Sequence, residues 1–231
     1  MKGFINVLGF VFLAAVILLT NCNSQPAAAA HSHSWAWTEI SVYVETGICG
    51  ECGETEKRLS LEIGDIGPGG GIVFYRNAEG FTMTDDNSAV YYLEAAPENQ
   101  GAAMQWASPD FIDSNYGGSA IGVWTEIAGI ETAIGTGRKN TDLILAADES
   151  APAASVCKNY NGGGKDDWFL PSKDELNELY NQRSHVGITA GYFWTSSQVS
   201  DDWAFGMNFA YGTTLNQQKN VNGFPRAVRA F

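Results

Sequence analysis

The sequence predicts an α+β fold. Three observations carry this. Residues 71–97 read as two strands, residues 140–180 carry the helix patterns, and residues 191–231 return to strands. Strands at both ends around a helical middle indicate α+β, not the alternation of βαβ winding. With 231 residues, 45% hydrophobic and 17% charged, the chain can bury one sizeable core and is not generally disordered.

Residues 1–22 precede the fold. One Lys opens them, an apolar run follows and a Cys closes them, as in a secretory signal peptide. The ending Leu19-Thr20-Asn21-Cys22 resembles a bacterial lipobox, although Asn21 departs from the usual small residue. Such a match implies cleavage before Cys22 and lipid on Cys22, an anchor that holds when more than one chain is attached. A plain signal peptide with an incidental Cys is the alternative. Residues 23–34 are Ala/Ser-rich and read as a tether.

Residues 35–61 read as a small β-hairpin unit around a Cys49-Gly-Glu-Cys52 turn. Two thiolates two residues apart suit one face of a tetrahedral zinc ion, and His31 or His33 could add a ligand. A Cys49–Cys52 disulfide and two thiols are the competing states. The unit resembles a short Cys-containing repeat of bacterial surface proteins, with His33, Trp35, Cys49, Cys52 and Gly53 in the matching places.

The main domain is expected over residues 62–231. "IGDIGPGGGIVFY" invites a phosphate-loop reading, which fails because no Lys-Ser/Thr follows and the glycines precede a strand. A turn feeding a strand at Gly71–Tyr75 is expected instead, then a strand at Ala89–Pro97. Residues 99–137 should be largely irregular. A helix is predicted over Asn140–Ala147, capped by Asn140 or Thr141. Another starts at Pro152, holds Cys157 as a buried hydrophobe, and stops by Gly162. Ser172 and Glu175 form a capping box, with Leu176, Leu179 and Tyr180 on one helical face. Strands follow in "GYFWTSSQ", in "WAFGMNFAYG", where Trp203, Phe205, Met207 and Phe209 alternate toward a core, and in "PRAVRAF".

Together "IGDIGPGGGIVFY", "YLEAAP", "IGTGRKNTDLIL", "DWFLPSKDEL", "FWTSSQ", "DDWAFGMNF" and "RAVRAF" resemble the C-terminal domain of the Legionella collagen-like adhesin. The resemblance implies a C-type-lectin-like fold whose first and last strands pair, Ile72–Tyr75 beside Ala227–Phe231. It also implies non-catalytic binding of a host or cell-surface glycan or protein, outside the cytoplasm, on the outer membrane or cell surface. The adhesin namesake binds sulfated glycosaminoglycans, which needs basic surface. Removing residues 1–21 removes Lys2 and no acid, taking the net charge from −13 to −14. That charge disfavours nucleic acid and polyanionic glycosaminoglycans as partners. The Glu-Pro-Asn and Trp-Asn-Asp patterns of calcium-dependent sugar binders are not matched either.

Candidate ligand contacts are aromatic and polar residues of the long loops: Trp106, Phe111, Tyr116, Trp124, Tyr211 and Asn216. Asp166, Asp167, Asp201 and Asp202 flank Trp-starting strands and could converge on calcium, or stand as turn charge with some acids paired to Arg226 or Arg229. Arg229 is expected to pair with an acid. Two other functions stay open: a structural envelope lipoprotein, and a protein like the formylglycine-generating enzymes. The latter use paired cysteines near the C-terminal end, and no Cys follows Cys157 here.

Overall fold

A computed structural model describes residues 32–41, 43–109, 111 and 126–231. The expected signal peptide, Cys22, His31 and most of the tether lie outside these residues. Among the described residues no helix is long and apolar enough to cross a membrane.

The N-terminal unit is a three-stranded antiparallel sheet, one strand more than the expected hairpin. Trp35–Ser41 (β1) pairs with Val44–Cys49 (β2), and β2 pairs with Thr55–Leu59 (β3). The third strand is "TEKRL", with one large apolar side chain, which leaves little alternation to read. Arg58 stacks on Trp37 with its guanidinium 3.6 Å from the ring centroid, a cation–π contact that holds β3 to the rest of the sheet.

The main domain opens with Ile72–Thr82 (β4) and Ala89–Ala95 (β5). Strand β4 is longer than its apolar start suggested, with a register shift between Arg76 and Phe81. The closing strand Val228–Ala230 (β9) pairs with β5, Leu93 opposite Ala230, so the sheet order is β4-β5-β9. This corrects the expected pairing of the first and last strands. Strand β5 is buried on both faces, with Tyr92, Leu93, Glu94 and Ala95 fully buried, and takes the central place in the sheet.

Three helices fill the middle. Gly137–Ala147 (α1) begins three residues before the predicted start, after Thr136. Asn140 and Thr141 are therefore not caps. Buried inside α1, Asn140 bonds both backbone groups of Glu131, and the Thr141 hydroxyl bonds Leu170 N and O. Pro152–Lys158 (α2) has Pro in its first turn and Cys157 fully buried. Lys173–Asn181 (α3) carries the capping box as predicted. The Ser172 hydroxyl accepts from Glu175 N at 3.3 Å, and the Glu175 carboxylate accepts from Ser172 N at 2.7 Å.

The last sheet is Tyr192–Gln198 (β6), Trp203–Asn208 (β7) and Thr213–Gln218 (β8), in that order. Strand β7 departs from simple alternation. Met207 and Phe209 are core, but Trp203 is 36% exposed and Ala204 is fully buried on the other side. Being central, β7 is covered on both faces at different points along its length.

Two core clusters result. One gathers Trp106, Trp168 and Trp194 against α1 and α2. The other packs Phe74, Leu93, Phe169, Leu176, Phe193 and Phe209 between the β4-β5-β9 sheet, α3 and β6-β7. A smaller cluster joins the two units: Val44 and Tyr43 meet Val73, Tyr92 and Phe231.

Candidate functional site

The glycine-rich turn binds an anion, and the anion is the protein's own. Gly69 N and Gly71 N each donate to the Glu94 carboxylate at 2.9 Å, and Arg229 Nη1 completes the cage at 2.9 Å. A Cβ at Gly69 would sit 2.7 Å from Glu94 Oε1 and 2.6 Å from Trp168, which is why only glycine fits there. Arg229 Nε also donates to Asp167. The expected acid partner of Arg229 is thus two acids, one of them fully buried.

This removes Asp167 from the proposed acidic metal cluster. Asp201 and Asp202 serve a local turn: Asp202 N donates to Asp201 Oδ1 and Ser200 Oγ to Asp202 Oδ1. Asp166 stays at the surface of its segment, without joining them. The four acids do not form a common ligand set. Among the described residues, the group whose ligand atoms come together is His33, Cys49 and Cys52, all within 4.8 Å of one another.

Trp106 is not a surface contact. It is 1% exposed, donates Nε1–H to Thr195 O at 2.8 Å, and lies under Lys219 Nζ, 4.7 Å from its ring. Lys219 is itself buried, held by Gln198 Oε1 and Asp201 O, and burial pulls its pKa down to about 8 against the pull of Asp201, Asp202 and Glu126. Phe111 packs partly buried against the first cluster. Tyr116 and Trp124 lie outside the described residues. Tyr211 is 80% exposed in the β7–β8 turn, and Asn216 is exposed on β8 opposite Phe205.

A concave feature lies elsewhere among the described residues of the main domain. A recess of about 350 Å³ is lined by residues 97–99 and 186–190 together with Phe193 and Arg226. Arg226 is 4% exposed. Its Nη1 donates to Asn99 Oδ1, and its Nη2 to Pro97 O and Val186 O, each at 3.0 Å. Its Nε–H is buried with no acceptor among the described residues. Burial lowers its pKa to about 10, with Glu98 opposing, so it stays cationic at neutral pH. Sequence reasoning offered Arg226 only as a partner for acids. Its hydrogen bonds to carbonyl and amide oxygens give no sequence signal, since backbone acceptors carry no residue type.

Fold and recess define a mixed α+β domain, mostly sheet, with a polar recess built from loops. The chain belongs to the Lcl C-terminal domain family: the model of that family matches residues 81–229. Among solved structures it is similar to a fimbrial protein from Bacteroides ovatus, with a TM-score of 0.48 and 10% identity. That similarity covers 81% of this chain and 57% of the other, so the chain spans a little over half of that protein's length. No curated protein matches the chain.

Proposed function

We propose that this is an exported, lipid-anchored surface protein that binds an external ligand without catalysis, as an adhesin does. The observation that carries the reading is membership of the Lcl C-terminal domain family across residues 81–229. The N-terminal pattern ending at Cys22 supports export and anchoring, and residues 23–34 serve as the tether. Residues 35–61 form the small unit and residues 62–231 a C-type-lectin-like domain, in a variant whose closing strand joins β5. Cys157 offers no nucleophile. It is fully buried, and burial pushes its thiol pKa up, away from the reactive thiolate.

The recess is the ligand site in this reading. It offers one guanidinium beside one exposed carboxylate, Glu98. That balance fits a neutral polar group, such as a sugar ring, better than a polyanion. The net charge of −14 after cleavage disfavours sulfated polymers on the same ground.

Binding of the purified mature protein to glycan and matrix-protein arrays tests the function. Thr189 is exposed and lines the recess, so Thr189→Trp should fill it and weaken binding at least tenfold while the fold persists. Unchanged binding by that variant would move the site elsewhere, toward Tyr211 and Asn216. Absence of any ligand would leave a structural envelope role.

A further inference from the structure

We propose that His33, Cys49 and Cys52 form a zinc site that fastens the N-terminal sheet. The three gather at one end of the β1-β2 pair. Trp35 stands opposite Cys49 in the register, and Gly50 N donates to Ser34 O at 3.1 Å. The chain just before β1 is thereby brought beside the turn that follows β2.

That turn presents both sulfurs to the same side. Cys49 N donates to Glu54 O at 2.8 Å and Gly53 N to Cys49 O at 2.9 Å. Gly53, directly after the second Cys, has φ of +74°, a conformation that glycine adopts without steric cost. The turn is closed by its own backbone and needs no side chain for that purpose.

The distances suit the ion. Tetrahedral zinc with bonds of about 2.3 Å to sulfur and about 2.0–2.1 Å to nitrogen sets S···N near 3.6 Å. Cys52 Sγ lies 3.6 Å from His33 Nδ1. Two thiolates and an imidazole select a borderline-soft cation, so zinc is favoured over calcium or magnesium.

The imidazole is set up for this role from its far side as well. Its side chain is 4% exposed, and Nε2 faces the Glu54 carboxylate at 3.7 Å. It stacks on Trp35 with centroids 4.9 Å apart and planes within 10°. A carboxylate near the outer nitrogen favours the tautomer with its hydrogen on Nε2, which turns the Nδ1 lone pair toward the Cys52 sulfur.

A reason for the ion lies in the size of the unit. Among the described residues Val44 and Cys49 are its buried hydrophobics; Val44 packs on the main domain, whereas Cys49 lies at the other end of β2, where little burial holds the strands. Units this small ordinarily need a metal, a disulfide or a partner surface. The proposal does not depend on the recess or its ligand, so either can fail without the other.

The test uses the mature protein, reduced, stripped with chelator, and titrated with zinc and separately with cobalt. Wild type should take one equivalent and show the thiolate-to-cobalt charge-transfer band with tetrahedral d–d bands. Cys49→Ser and Cys52→Ser should lose that band. Glu54→Gln should keep the spectrum and bind about 10–100-fold more weakly. Cys157→Ala should change nothing in the titration. Metal bound equally by the Cys49→Ser/Cys52→Ser double variant would reveal only the acidic surface and overturn the site. So would a reduced wild-type protein that gives no thiolate band, with the untreated protein lighter by the two hydrogens of a Cys49–Cys52 disulfide. The wild-type spectrum decides by itself, whatever the variants do to folding.

Discussion

Glu94 and Arg229 are a buried ion pair, and each is satisfied beyond its partner. Glu94 also takes two backbone N–H groups, and Arg229 also holds Asp167. Removing one partner of such a pair strands the other charge and costs about 3–5 kcal/mol. Arg229→Met should therefore lower the unfolding free energy by that amount in urea titration, although Met fills much of the same space. A loss below about 1 kcal/mol would mean that Glu94 is held by the glycine turn alone. The need of Arg229 for an acid was legible in the sequence, because a charge on a terminal strand must be paired. The identity of Glu94 was not, because 135 positions separate the two residues. Trp106 was misread for a related reason. An aromatic among Gly, Ser and Ala looks like loop decoration, and only the tertiary fold brings the Thr195 carbonyl and Lys219 to it.

At the scale of elements, helix α3 is where local rules held best. Its capping box needs only residues three apart, so Ser172 and Glu175 were readable directly. Ser172→Ala should cost about 1–2 kcal/mol, read as a lowered urea midpoint with unchanged slope, since the lost hydroxyl also donates to Ala133 O at 2.8 Å. Glu175 adds a pH dependence. It is fully buried, and burial raises its pKa from 4.5 to about 7, opposed by N–H donors from Ser172, Gly135 and Gly137. Between those values the folded state holds a proton that the unfolded state releases. This contribution is complete below about pH 4.5 and is lost as pH rises through about 7. The loss is on the order of 3 kcal/mol, and Glu175→Gln should remove that slope from stability measured between pH 5 and 8. Strand β8 was the least legible element. "TTLNQQ" has one large apolar residue, and its pairing with β7 is supplied by backbone bonds that no side-chain pattern announces.

Across the whole molecule, two units meet through the Tyr92 ring and hydroxyl. The ring meets the Tyr43 ring edge-on, centroids 6.5 Å apart, and the hydroxyl donates to Tyr43 O at 3.1 Å and accepts from Leu61 N at 3.2 Å. Tyr92→Phe keeps the ring and orphans Leu61 N, while Tyr43 O keeps its bond from Ser60 N, at about 1–3 kcal/mol. Hydrogen exchange should then speed up over residues 35–61 while residues 168–180 stay protected. Equal acceleration in both would show a single cooperative unit. The order of segments and the fold class were readable, because periodicity is local. Which strand neighbours which was not, and the pairing of β9 with β5 shows why: both candidate neighbours are apolar, and the choice between them is made in three dimensions. That pairing also sets a schedule. Until residues 228–230 dock, β5 keeps an open, apolar edge and Glu94 lacks its cation. Joining segments so far apart in the chain is slow, and an unpaired edge invites other strands in the meantime. A chain lacking residues 228–231 is therefore expected to aggregate faster on refolding than the full chain, read by light scattering, because its β5 edge is left without its closing strand.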